Sequence, residues 1–66
     1  MSQSSLDRVH AALDGRSVAW LARQLGVTRT TVYLWARGMG VTRDRAREIE
    51  RLLGVPASQL FPNVED

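Results

Sequence analysis

The chain has 66 residues, a formal net charge of +2 and no cysteine. A chain of this length forms one domain with a small core, and without cysteine it has no disulfide framework and no thiolate metal site. No apolar run approaches the ~20 residues of a membrane-spanning helix, and no charged-then-apolar segment of the signal-peptide type opens the chain. We therefore expect a single cytoplasmic domain over residues 1–66.

The first predicted element is a helix between Ser5 and Gly15. Leu6, Val9 and Leu13 form its apolar stripe, and Gly15 ends it. His10 is the only histidine, and with no second histidine or cysteine we expect it at the surface rather than in a metal site. Residues 1–4 carry no pattern and are expected to be mobile.

A second helix follows from Ser17, because apolar residues recur there at helical spacing. They are Val18, Leu21, Ala22 and Leu25. Ser17 is placed to cap the helix, and Gly26 to end it in a left-handed turn.

Thr28 caps a third helix that runs to about Arg37, and the two faces of this helix differ. At 100° per residue, one arc of about 140° holds Arg29, Thr30, Tyr33, Leu34 and Arg37. The opposite arc holds Val32, Trp35 and Ala36 and is expected to face the core. Two helices joined by a glycine turn, with cationic and hydrogen-bonding groups facing outward, indicate a helix-turn-helix over about residues 17–38.

The rest of the chain predicts a fourth helix and a short fifth one. Residues 39–41 are interpreted as a flexible link, after which Thr42 caps a helix that ends at Gly54 and turns Ala46, Ile49 and Leu53 inward. Residues 57–61 fit one further turn whose Leu60 and Phe61 close the core, and residues 63–66 form a mobile acidic tail. The predicted fold is an all-α, compact bundle of about five short helices.

Charge is distributed unevenly along this bundle. All nine basic residues are arginine; five of them lie between Gly15 and Arg43, where there is no acid. Such a block is typical of a surface that faces an anion, and the planar fork of arginine suits phosphates and guanine edges. A GC-rich genome would explain the missing lysine equally well.

These patterns predict a nucleic-acid interface with two kinds of contact. For base edges in the major groove we expect Arg29 on guanine, Thr30 and Tyr33 on base edges or phosphate, and Leu34 on a thymine methyl. For the backbone we expect Ser17 and the free amides at the start of the second helix, together with Thr28, Arg37 and Arg43.

The order Ala22, Gly26, Val32 and Trp35 resembles the Cro/phage-repressor class of helix-turn-helix proteins. The run LARQLGVTRTTVYLWARG is similar to the motif of that class, and RAREIERLLGVPASQLF to its closing helices, so the resemblance spans about residues 6–61. Many members carry glutamine near the start of the first motif helix, bridging a phosphate and a recognition residue. Val18 stands at that position here, so this contact is not carried over.

The resemblance implies a lambda-repressor-like domain that acts as a small phage or prophage regulator in a bacterial cell. It adds backbone contacts by Arg43 and Arg45, and binding as a homodimer, in solution or only on DNA, to a palindromic operator in double-stranded DNA. It also places dimer contacts near Leu60 and Phe61. No cofactor, metal or small-molecule ligand is expected.

No catalytic constellation is present, so we do not expect an enzyme. Two other hypotheses stay open. One is a recombination directionality factor or other architectural DNA-binding protein, which more often carries a β-wing. The other is a protein-binding antitoxin or antirepressor module, whose exposed apolar patch would comprise Trp20, Leu34, Met39 and Val41.

Overall fold

The computed structural model describes residues 5–65; the predictions of mobile ends at residues 1–4 and at Asp66 lie outside them. Four α-helices follow one another: α1 Ser5–Leu13, α2 Val18–Leu25, α3 Arg29–Arg37 and α4 Arg43–Leu53. A 3₁₀ turn spans Ala57–Gln59. Within residues 5–65 the only extended pairing is one isolated bridge. The all-α prediction is therefore confirmed, with the fifth helix reduced to a 3₁₀ turn.

The predicted capping residues begin and end the helices. The hydroxyl oxygens of Ser17, Thr28 and Thr42 each accept a hydrogen bond from the backbone amide three residues later, at 3.0, 3.2 and 3.3 Å. Gly26 and Gly54 end α2 and α4 in the left-handed conformation, with φ of +72° and +74°. Side-chain oxygens satisfy amides that the first helical turn leaves free, which is why these boundaries follow from local sequence.

One apolar core joins all the helices. Its buried residues are Val9, Leu13, Val18, Leu21, Ala22, Leu25, Val32, Trp35, Val41, Ile49, Ala57, Leu60 and Phe61. The Trp35 and Phe61 rings meet edge to face, with centroids 5.7 Å apart. Leu60 and Phe61 are 3% and 2% exposed. They close the core of a single chain, as predicted, so neither has side-chain surface left to share across a two-fold axis.

The segment after α3 and the end of the chain depart from the sequence predictions. Val41, predicted to lie in a flexible link, is fully buried and forms a parallel bridge with Val64. The Val41 amide donates to the Asn63 carbonyl and the Glu65 amide to the Val41 carbonyl, both at 2.8 Å. The Asn63 side-chain amide also donates to the Gly38 carbonyl at 3.2 Å. Residues 63–65 are thus hydrogen-bonded to the segment that follows α3, rather than forming the free tail that the sequence predicted.

The left-handed turn at Gly26 gives a first testable expectation. A side chain there strains the backbone by about 1–2 kcal/mol, so Gly26→Ala is expected to lower the free energy of unfolding by that amount in urea denaturation. Gly40→Ala is the matched control, because a Cβ at Gly40 would lie 3.6 Å from the nearest Glu65 oxygen, an ordinary contact distance. Equal losses for the two variants would contradict this account of the turn.

Candidate nucleic-acid interface

The α2–α3 turn is held by its own backbone hydrogen bonds. The Val27 amide donates to the Ala22 carbonyl at 2.9 Å and the Gly26 amide to the Arg23 carbonyl at 3.3 Å. This is the pairing of a glycine-terminated helix, in which carbonyls of the last turn find donors beyond the helix end. Val27 is half-buried against the core. The turn therefore fixes the direction in which α3 leaves α2.

α3 presents one packed face and one exposed face, as its sequence predicts. Val32 and Trp35 are 0% and 5% exposed. The other face is exposed and carries all four predicted base-contacting residues and one predicted phosphate-contacting residue: Arg29, Thr30, Tyr33, Leu34 and Arg37. A single helix thus offers guanidinium, hydroxyl and methyl groups together, which are the groups that distinguish base pairs in the major groove.

Two further predicted contacts, Ser17 and Thr28, lie at the starts of α2 and α3 and are exposed. Both hydroxyl oxygens already accept a hydrogen bond as helix caps. A hydroxyl has one proton to donate and two lone pairs that accept. Because the cap uses a lone pair of Ser17, its O–H can still donate a hydrogen bond to a phosphate oxygen. Thr28 Oγ1 additionally lies 3.1 Å from Thr31 Oγ1, in a hydrogen bond whose donor is either hydroxyl.

A groove runs beside the exposed face of α3. It has a volume of about 380 Å³, and residues of α1, α2, α3 and the α1–α2 loop line it: His10, Leu13, Arg16, Ser17, Val18, Ala19, Arg29 and Tyr33. It brings together Arg29 and Tyr33, predicted to contact bases, and Ser17, predicted to contact the backbone. Arg16 and Arg29 come from different elements, so the groove combines two positive charges 13 positions apart in the chain.

Neither Arg16 nor Trp20 is among the predicted DNA contacts. In the structure the Arg16 guanidinium stacks over the Trp20 ring, with Cζ 4.2 Å from the ring centroid. Trp20 is half-buried. Arg16 and Trp20 are four residues apart, the spacing at which side chains meet on one face of a helix. Arg16 precedes α2, however, so helical periodicity alone does not predict the contact.

The guanidinium of Arg45, another predicted backbone contact, is engaged within the protein. Its Nη1 donates to the Leu25 carbonyl at the end of α2 at 2.6 Å and lies 3.3 Å from a Glu48 carboxylate oxygen. A cation at the carboxyl end of a helix also complements the helix dipole. This geometry gives Arg45 a role in docking α4 on α2; the phosphate contact that the resemblance implies for it stays a prediction. Arg37 and Arg43 lie exposed at the end of α3 and the start of α4.

The Arg45 contact leads to a second expectation. Arg45→Met keeps the apolar stem but removes the donor, so we expect the free energy of unfolding to fall by about 1–3 kcal/mol, the usual range for a charged hydrogen-bond partner. For a domain of this size that lowers Tm by roughly 4–8 °C per kcal/mol. Arg47→Met, at an exposed position of the same helix, is the control. Unchanged stability with weakened DNA binding would instead support the phosphate contact.

Within residues 5–65, no helix is long and apolar enough to cross a membrane. The same part of the chain holds no group of three or more histidine or acidic side chains arranged for a metal ion.

Comparison with known protein families finds a match. The sequence profile of the helix-turn-helix family aligns with residues 11–60, which include α2, the turn, α3 and α4. No curated protein and no solved structure matches the chain.

Proposed function

Because this chain belongs to the Cro/C1-type helix-turn-helix family and is a DNA-binding transcription regulator, we propose that it binds a palindromic operator as a homodimer and represses transcription. The observation that carries the proposal is the exposed face of α3, where Arg29, Thr30, Tyr33 and Leu34 project opposite the buried Val32 and Trp35.

In this proposal α3 enters the major groove with its exposed face toward the bases. Arg29, the first residue of α3, donates two hydrogen bonds to the O6 and N7 acceptors of a guanine. Thr30 and Tyr33 hydrogen-bond to base edges or phosphate, and Leu34, which is 39% exposed, contacts a thymine methyl group. These groups read sequence, because each base pair presents a different set of acceptors, donors and methyl groups in the major groove.

The proposed backbone contacts lie on either side of that face. Ser17 and Thr28 stand at the two helix starts, where backbone amides and the helix dipole also favour a phosphate. Arg37 and Arg43 neutralise phosphates beyond the carboxyl end of α3. Such contacts set the register of α3 on the duplex and supply affinity that salt weakens, but they do not distinguish bases.

A homodimer is supported by the dimensions of the domain. The described residues span 32 × 27 × 22 Å, and half-sites read from one side of the duplex recur every ~34 Å. Two copies centred on adjacent turns come within contact distance when the 32 Å axis of each lies along the duplex, whereas a wider spacing would separate them. A two-fold pair of copies matches a palindromic site, and covering a promoter in this way excludes the polymerase.

The experiment that tests the proposal is selection of bound sequences from a random duplex pool at about 150 mM salt, where non-specific attraction to phosphate is damped. We expect a palindrome whose half-sites are centred about one helical turn apart, and repression of a reporter placed behind it. Recovery of one unpaired half-site would overturn the homodimer. Recovery of no sequence above background would overturn operator binding.

The structure gives less support to the two other hypotheses. Of the four residues in the suggested protein-binding patch, Val41 is fully buried, and Trp20 is covered on one face by the Arg16 guanidinium. Only Leu34 and Met39 of that set remain as exposed apolar side chains. An architectural factor with a β-wing is not favoured either, because residues 5–65 contain one isolated bridge and no hairpin.

A further inference from the structure

The stacked pair of Arg16 and Trp20 lies at the edge of the proposed DNA-binding surface. A guanidinium 4.2 Å from an indole centroid is well inside the ~6 Å range of a cation–π contact. The Arg16 Nε–H also donates to the Leu13 carbonyl at 2.9 Å, so the head group is held at two places. An arginine held in this way loses little conformational entropy when it binds a ligand.

The pair leaves the outer edge of the guanidinium available. Arginine has five N–H donors in a planar fork, and Leu13 uses the one on Nε. Within residues 5–65, the hydrogen bond of the Arg16 guanidinium is the one from Nε to Leu13, and its Nη atoms form none. Arg16 is exposed, so its four remaining donors meet solvent. This is the edge with which arginine binds two oxygens of one phosphate.

The position of Arg16 connects this edge to the proposed recognition helix. Arg16 lines the same groove as Arg29, Tyr33 and Ser17. If Arg29 lies over a base, a second cation in the same groove but on a different element lies toward the backbone that borders that base. The nearest charge available to Arg16 on DNA is therefore a phosphate.

We propose that Arg16 binds a backbone phosphate next to the base pair read by Arg29, and that Trp20 is a positioning residue that orients the Arg16 guanidinium. This inference rests on the proposed function, because it requires α3 to lie in the major groove. In this proposal Trp20 acts by orienting Arg16 and does not itself stack on bases.

The first test compares Arg16→Gln with Arg51→Gln on the selected duplex. Both variants lose one positive charge, but Arg51 lines a separate groove with Gln24, Glu48 and Leu52. Loss of one phosphate contact lowers the slope of log affinity against log salt by about 0.9. The ratio of wild-type affinity to Arg16→Gln affinity should thus fall about 3.5-fold between 50 and 200 mM salt. We expect no such change for Arg51→Gln.

The second test is a double-mutant cycle between Arg16→Gln and Trp20→Leu. Trp20→Leu is expected to weaken binding by about two- to fivefold, which corresponds to an exposed cation–π contact. Added to Arg16→Gln, it should weaken binding no further, because Trp20 acts only through Arg16. Trp20→Phe keeps an aromatic face and is expected to restore most of the affinity. Thermal unfolding monitors the stability of both variants. If Trp20→Leu destabilises the fold, Trp20→Phe replaces it in the test.

The outcomes separate this inference from the proposed function. Wild-type selection of a palindrome together with equal salt slopes for Arg16→Gln and Arg51→Gln would overturn the Arg16 contact and leave the proposed function standing. Additive losses in the cycle would overturn the positioning role of Trp20. If wild-type protein selects no duplex, the proposed function fails and this inference fails with it.

Discussion

Arg29→Ala is expected to weaken binding to the selected operator by about 1–3 kcal/mol and to relax the sequence preference at a single base pair. The reason is that an arginine bidentate to guanine supplies both affinity and discrimination, since no other base offers two acceptors in the same place. The substitution leaves the fold intact, because Arg29 is exposed at the first position of α3. The measurement is competition between the operator and duplexes that carry every single-base change in one half-site.

The control for this prediction is Arg43→Ala, which removes the same charge from the start of α4. If Arg43 contacts only phosphate, its loss weakens all duplexes alike and leaves the order of preference unchanged. A salt titration should show a reduced slope for Arg43→Ala. If the two variants give the same pattern across the duplex set, the proposed orientation of α3 in the groove is wrong.

Phe61→Ala is expected to destabilise the domain by about 3–5 kcal/mol, the usual cost of removing a large aromatic side chain from a core. Phe61 is 2% exposed and packs edge to face on Trp35, which is itself the buried anchor of α3. For 66 residues a typical free energy of unfolding is roughly 3–10 kcal/mol, so this loss removes a large part of it and moves the unfolding midpoint to a much lower urea concentration. Urea denaturation followed by circular dichroism measures the change.

Phe61→Leu provides a graded comparison, because it keeps apolar volume but removes the aromatic contact with Trp35. We expect a smaller loss for this variant. Leu34→Ala changes an exposed residue on the opposite face of α3 and should leave stability within about 0.5 kcal/mol. A Phe61→Ala variant as stable as Leu34→Ala would show that the end of the chain does not close the core.

The loss of DNA binding in Arg29→Ala and the loss of stability in Phe61→Ala are physically separate, although both involve α3. Trp35 and Val32 hold the inner face of the helix against the core, and Arg29 and Tyr33 stand on the outer face. Loss of Phe61 therefore acts on DNA binding only through the fraction of folded protein. Loss of Arg29 acts on binding with the folded fraction unchanged. Measuring the folded fraction and the DNA affinity of each variant distinguishes a residue that stabilises the fold from one that contacts DNA.

Predictions of the helix boundaries and the inward faces needed only local sequence. Ser17, Thr28 and Thr42 cap the amide three residues later, and Gly26 and Gly54 take up left-handed conformations. These interactions join residues within one turn of each other, so their chemistry is visible in the order of the chain. A rotation of 100° per residue predicts Trp35 in the core, which is likewise a local rule.

The sequence by itself thus determined the four helices, the glycine turn and the composition of the exposed face of α3. Only the tertiary structure decided that Val41 pairs with Val64 and that Arg45 binds the Leu25 carbonyl. It alone placed Arg16 in one groove with Arg29. The residues in each of these pairs lie 13 to 23 positions apart, where no helical or strand periodicity relates them. Their geometry depends on how the helices pack, which the core as a whole determines.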